Sequence, residues 1–290
     1  MNKLLVIVGP TASGKSDLAI QLAKIFNGEI ISADSRQIFK EMNIGTAKIL
    51  NTKIPHHLID IISPTESFSA AQYKELAYQT IKNVQKKEKL PILCGGTGLY
   101  ISSVIENWQF PKISAQNILR KELESKSTQE LLKMYQKLDP QGAQMIDIKN
   151  KRRLIRAIEV SSLSKRSFWQ QRKKTKSIFD ALVIGLKLSK EELKQRIEER
   201  TKKMIQLGLE NEVETLINKY GWIPSLQSIG YQEWKEYFNN KINKKEVQDL
   251  IELHTLQYTK RQMTWFKKMK KIKWIENPKA AEKLTKLFLK

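Results

Sequence analysis

The chain has 290 residues, 40% of them hydrophobic, with 52 Lys and Arg against 30 Asp and Glu and a formal net charge of +22. That length and apolar content exclude a disordered chain and suit one large domain or two modest ones. The single cysteine, Cys94, excludes an intrachain disulfide, three histidines make no zinc spacing, and no apolar run is long enough to cross a bilayer. Met1-Asn2-Lys3 leads straight into an apolar run, so no signal peptide and a cytoplasmic location are expected. Scattered lysines on solvated faces account for part of the charge. Two runs stand apart because they hold no acid: Lys165 to Lys176 with six basic residues, and Lys260 to Lys273 with seven. Phe168, Trp169, Trp265 and Phe266 interleave them, a composition suited to a polyanion, with nucleic acid as the leading partner.

In chain order, Lys3 to Val8 reads as a buried strand and Asp17 to Phe26 as a helix with Leu18, Ala19, Leu22, Ile25 and Phe26 on one face. Glu29 to Ser32 is a second strand, ending in the polar loop Ala33 to Gln37. Ser69 with Gln72 makes a capping box for a helix to about Lys87, and Leu90 to Cys94 is the next strand, opening into Gly95-Gly96-Thr97-Gly98. This alternation predicts a parallel α/β sheet. From about Pro111 only helical signals follow: Ser114 to Lys126, Thr128 to Leu138 capped by Ser127 with Glu130, and Lys151 to Leu163. Strand character returns at Ala181 to Leu188. Residues 111–178 are therefore expected to be a helical insertion in an α/β core made of 1–110 and 179–290. Ser189 with Glu192 caps another helix, with Gly208 placed as its C′ residue; the remainder is helical to about Met269, with a closing strand near Lys273 to Ile275.

Between the first strand and helix lies Gly9-Pro10-Thr11-Ala12-Ser13-Gly14-Lys15-Ser16, which completes G-x-x-x-x-G-K-[ST]. Glycines there let successive N–H groups point inward at a helix N-terminus, and Lys15 adds a full charge, so the loop suits a diphosphate or triphosphate. Ser16 supplies a hydroxyl of the kind that ligates Mg²⁺ between phosphate oxygens. In an open parallel sheet the loops at the strands' carboxyl ends converge, which brings together Gly9 to Ser16, Asp34 to Gln37 and Gly95 to Gly98. Position alone leaves Asp34 as a general base, a metal ligand or a loop cap, and Thr97 as a substrate-binding hydroxyl or a turn residue. Arg196 and Arg200 share a helix face from which either reaches the phosphate site or pairs on the surface. His56 and His57 are expected to be structural. A phosphate loop by itself leaves a small-molecule or nucleotide kinase as an alternative reading.

The segments Gly9–Ser16, Ser32–Phe39, Met42–Lys48, Pro55–Asp60, Gly95–Tyr100, Arg153–Val160, Arg196–Arg200 with Met204, Gly230–Trp234 and Thr259–Trp265, in this order along nearly the whole chain, resemble the bacterial tRNA dimethylallyltransferases, also called tRNA isopentenyltransferases. The resemblance implies a P-loop NTPase-like core that moves a dimethylallyl group from dimethylallyl diphosphate to N6 of the adenosine immediately 3′ of the anticodon, in tRNAs reading U-starting codons. By the same resemblance Asp34 takes the amine proton, Thr97 holds the amine in line, and Arg200 assists Lys15 at a diphosphate held by Gly9 to Ser16 with Mg²⁺ on Ser16. Asp34, Ser35, Arg36, Gln37 and Thr97 contact the target adenosine, while Arg120, Asn150, Lys151, Arg152 and Arg153 grip the anticodon stem-loop. Ile148 to Arg152 departs from the family's pattern at that point. A monomer with no membrane association is implied.

Overall fold

A computed structural model describes residues 2–49, 52–171 and 175–290; Arg172, Lys173 and Lys174 of the first basic run lie outside the described residues. The elements in chain order are β1 (Lys3–Val8), α1 (Lys15–Ile25), β2 (Gly28–Ser32), β3 (His56–His57), α2 (Ala70–Lys86), β4 (Leu90–Gly95) and α3 (Gly98–Ile105). Then come α4 (Asn117–Ser125), α5 (Thr128–Leu138), α6 (Pro140–Met145) and α7 (Lys151–Ser164). The chain continues with β5 (Asp180–Leu186), α8 (Lys190–Gln206), α9 (Leu209–Tyr220), α10 (Trp234–Phe238), α11 (Lys244–Phe266), β6 (Ile272–Ile275) and α12 (Pro278–Leu289).

Six parallel strands form one sheet in the order β3-β2-β4-β1-β5-β6. β1 is buried on both faces, which is why it reads as a continuous apolar run rather than an alternation. Its even residues, Leu4, Val6 and Val8, pack with Tyr73, Ala77, Ile81, Ile101, Val104 and Phe266 from α2, α3 and α11. Its odd residues, Leu5 and Ile7, pack with Leu18, Ala19 and Leu22 of α1 and Ala281 of α12. The pleat thus sorts one strand's side chains into two cores. A third cluster gathers Ile38, Phe39 and Met42 with α9, Tyr231, Trp234 and Ile251.

Two compact units result: 1–105 with 178–290, and 106–177. Within the second unit, Leu123, Leu131, Tyr135, Leu154 and Ile158 form its own core from α4, α5 and α7. At its centre the fully buried Glu159 carboxylate accepts from Gln116 N (2.7 Å), Arg120 Nε (2.9 Å) and Nη2 (2.8 Å), and Arg156 Nη1 (2.5 Å). Burial raises the carboxyl's proton affinity, but these donors more than reverse it and hold the group below its ordinary range. Glu159→Ala leaves two guanidinium groups facing an apolar side chain; because both remain partly exposed and can rehydrate, the expected cost is near the low end for a broken buried pair, about 3 kcal/mol. Hydrogen exchange of the α7 amides checks this, with accelerated exchange confined to residues 106–177 as the expected result.

The capping boxes Ser69/Gln72 and Ser127/Glu130 form as read, and Ser189 caps α8 with Gly208 following it at φ 92°. Helix α4 starts at Asn117 rather than Ser114. The stretch read as helical to Met269 is broken: α9 ends before Gly221, a turn carries Pro224–Leu226, and α11 begins only at Lys244. His57 is structural, its Nε2 lying 2.7 Å from Glu29 Oε2, and His56 Nδ1 meets Ile54 O at 2.8 Å. Burial works against the Glu29 carboxylate, yet hydrogen bonds from Lys89, His57 and Lys87 dominate and hold it at about 2 rather than its ordinary 4.5. A depressed carboxyl stabilises the fold above the unfolded value, and this contribution is lost as pH falls from about 4.5 towards about 2. Glu29→Gln should flatten the acid limb of a stability–pH curve over that window, measured by urea unfolding.

Candidate active site

The phosphate loop leaves the sheet at its centre, since β1 lies between β4 and β5. Gly14 caps α1 at φ 83°, a left-handed conformation that a side chain disfavours, and from there the first turn of α1 carries Lys15 and Ser16. The helix begins two residues before the apolar periodicity does. Its N-terminus and the loop amides stand at the end of β1, where the pattern expects a phosphate site. Lys15 Nζ folds back to Pro10 O at 3.2 Å. Burial lowers the Lys15 ammonium below its ordinary 10.5, a tendency opposed by Asp34 and reinforced by the Arg200 cation. Arg200 is likewise lowered by burial and sustained by Asp34, so the Asp34 charge supports both cations. Cys94 sits beneath, its Sγ donating to Lys15 O at 3.5 Å, and burial pushes its thiol up to about 12, so it stays neutral.

Asp34 lies two positions beyond the end of β2. Its Oδ1 accepts Arg36 N at 2.8 Å, so it is a loop cap, and it also lines a cavity of about 330 Å³ together with Thr11, Ser35, Arg36 and Arg200. Met204, Ile197 and Ile251 supply the apolar part of the wall, and Tyr258 and Arg261 of α11 close another side. Thr97 braces the Asp34 loop: its Oγ1 accepts Ser35 N (3.0 Å) and its own N–H donates to Ala33 O (3.1 Å). Burial, then the nearby Asp34 charge, pushes the Tyr258 phenol up to about 12, and its hydroxyl meets Thr97.

Not every residue read from the sequence points into that cavity. Gln37 turns away, with Oε1 accepting from Ser32 Oγ (2.9 Å) and Nε2 donating to Thr46 O (3.2 Å) and Ala47 O (3.4 Å). Ser16 borders a separate small pocket with Ser32, Gln37 and Cys94. Ser13 and Gly14 line an outer cavity of about 590 Å³ beside Arg196, whose Nη1 donates to Ser13 O at 3.2 Å and whose Nη2 pairs with Glu192. Of the two arginines on α8, Arg200 is thus the one in the cavity with Asp34. In the insertion unit, Arg120 is engaged by Glu159 and Asn150 caps α7 by accepting Arg153 N at 3.1 Å. Lys151 Nζ donates to Glu124 O, Arg152 is exposed, and the Arg153 guanidinium lies 5.1 Å from the Trp169 ring centroid.

One residue with no forecast role joins the loops. Buried Gln262 of α11 accepts Thr11 N at its Oε1 (2.8 Å) and donates from Nε2 to Gly96 O (3.0 Å), bracing the phosphate loop against the glycine loop after β4. Its presence within the resembling Thr259–Trp265 segment was the only signal in the sequence.

A glycine-rich phosphate loop at the carboxyl edge of a parallel sheet, with a lysine, an arginine and a carboxylate gathered around it, defines a P-loop-type enzyme acting on a diphosphate or triphosphate. Among the described residues no helix is long and apolar enough to cross a membrane. The family model described as IPP transferase matches residues 37–269, and the chain belongs to that family. It is 42% identical to the tRNA dimethylallyltransferase of Carboxydothermus hydrogenoformans over 99% of this chain and 96% of that protein. Among solved structures, the tRNA isopentenylpyrophosphate transferase of Bacillus halodurans is 38% identical, with a TM-score of 0.71 over 95% of this chain and 90% of that one. A eukaryotic dimethylallyltransferase acting on tRNA is 27% identical, with a TM-score of 0.80 over 94% and 73%. These relatives do not favour the kinase alternative.

Proposed function

We propose that this protein transfers the dimethylallyl group of dimethylallyl diphosphate to N6 of the adenosine immediately 3′ of the anticodon in tRNAs reading U-starting codons, releasing diphosphate. The observation that carries the reading is that Asp34 and Arg200 line one cavity together with Thr11 of the phosphate loop, with the Asp34 charge acting on Arg200. An exocyclic adenine amine is a poor nucleophile, so the reaction needs a base on one side and stabilisation of the departing diphosphate on the other.

Lys15, Arg200 and the loop amides receive the charge that builds on the diphosphate as the allylic C–O bond breaks. Asp34 takes the amine proton on Oδ2, since Oδ1 is occupied by Arg36 N–H. Thr97, Ser35 and Arg36 orient the adenosine, which must leave its stack to reach the cavity. The apolar wall excludes water from an allylic centre with cationic character. Arg152 and the Arg153–Trp169 pair offer the anticodon stem-loop a cation and an aromatic face, whereas Arg120 and Asn150 act through the shape of the insertion. The Ser16 hydroxyl, in the first turn of α1 after the loop, is of the kind that ligates Mg²⁺. Ser16 would help hold such an ion, which would neutralise part of the leaving charge. We place the protein in the cytoplasm as a monomer.

Nucleoside mass spectrometry tests this. Unmodified tRNA with adenosine 3′ of its anticodon, incubated with the protein, Mg²⁺ and dimethylallyl diphosphate, should gain a dimethylallyl group on that base. Phosphate transfer from ATP without that gain would overturn the reading.

A further inference from the structure

Glu212 of α9 makes an arrangement that the reaction as described does not use. Its Oε2 accepts Asn43 N (3.0 Å) and Ile44 N (2.7 Å), and its Oε1 accepts Gly45 N (3.1 Å) and the Tyr231 hydroxyl (2.7 Å). Three consecutive backbone N–H groups and a phenol thus converge on one carboxylate, all as charge-assisted hydrogen bonds. Gly45 is required here, because a Cβ at this position would lie 2.4 Å from Cε2 of the Tyr231 ring. Burial and the adjoining Glu212 charge raise the Tyr231 phenol far above its ordinary 10.0, so it remains a donor.

The clamped segment leads directly to the catalytic loop. Gly45 and Thr46 line the Asp34 cavity, and the carbonyls of Thr46 and Ala47 are the acceptors that fix the Gln37 amide. Gln37 closes the loop that Asp34 opens. Hydrogen bonds therefore run from Glu212 through backbone 43–47 to the Gln37 side chain, and the chain from Gln37 through Arg36, whose N–H donates to Asp34 Oδ1, leads to the proposed base. The phosphate loop is braced elsewhere, by Gln262.

We propose that Glu212 is a positioning residue for the acceptor half of the reaction, holding the 43–47 segment so that Asp34 is presented to the amine while touching neither substrate. This rests on the transferase reading above. The test compares wild type, Glu212→Gln and Tyr231→Phe by steady-state prenylation of tRNA with dimethylallyl diphosphate, each variant checked by circular dichroism melting. Glu212→Gln turns an amide NH₂ towards N–H donors, and the expected result is a fall in kcat of about 10- to 100-fold with the KM for dimethylallyl diphosphate unchanged. Tyr231→Phe keeps the ring on Gly45 and removes one of the four bonds to Glu212 together with the hydroxyl's own bonds to the Gly45 and Thr46 backbone, so kcat should fall by about 3-fold in the same pattern. An unchanged kcat in folded variants, or a loss spread equally over donor KM, would overturn the proposal and make Glu212 merely structural. If Glu212→Gln does not fold, Tyr231→Phe decides on the same criteria. A wild type that makes no prenylated nucleoside sinks the transferase reading instead; the clamp is then read from amide exchange over residues 34–47, expected to be faster in Tyr231→Phe, and unchanged exchange there counts against it.

Discussion

Asp34→Ala is expected to lower tRNA prenylation by about 10²- to 10⁴-fold, the range for removing a positioned general base, while tRNA affinity is largely kept. The separation follows from what Asp34 touches. Asp34 Oδ1 accepts Arg36 N, and Ser35 is independently held by Thr97, so the loop that faces the adenosine keeps its second anchor when the carboxylate goes. Single-turnover prenylation and a filter-binding assay on the same preparation check both halves. Equal loss of binding and turnover would mean that Asp34 serves to grip RNA rather than to move a proton.

Lys15→Ala carries the second large effect, a fall in turnover of about 10²- to 10³-fold that saturating donor does not restore. Lys15 is half-buried near the Arg200 charge, and desolvation dominates its environment, so its charge acts in a medium that screens poorly. Burial in the free protein lowers its proton affinity, and an arriving diphosphate reverses that penalty, so much of the stabilisation is realised where charge on the leaving group is greatest. Measuring kcat and the donor KM separately distinguishes this from simple tethering. A variant with raised KM and wild-type kcat would assign Lys15 to binding alone.

How much was legible in the sequence depended on the distance over which each feature is written. The phosphate loop, the Ser69, Ser127 and Ser189 caps and the Gly208 terminus are each specified by residues within a few positions of one another, and each forms as read. The strands beside the loop were equally plain because burial on both faces leaves uninterrupted apolar runs. Gln262 and Glu212 were not legible as braces, since their backbone partners lie some 170 to 250 positions away and a lone Gln or Glu on a helix looks like surface. Helices α6 and α12 do carry local signals, Asp139 before Pro140 and Asn277 before Pro278, but α6 has only six residues and α12 follows what reads as a closing strand. Arg120 shows the opposite difficulty: the resemblance gives it an RNA role, and only the fold reveals the buried Glu159 with which it is paired.

The strand order bears on how the chain comes together during synthesis. β1 is the first strand made, yet its neighbour on one side, β5, is separated from it by the entire insertion, and the edge strand β6 comes later still. Until residue 186 has emerged, one flank of β1 and of the phosphate loop has no hydrogen-bonding partner, while residues 106–177, whose core is local, are free to condense first. The brace from Gln262 arrives only after nine-tenths of the chain has left the ribosome, so a nascent chain displays the loop's sequence long before it owns a working anion site.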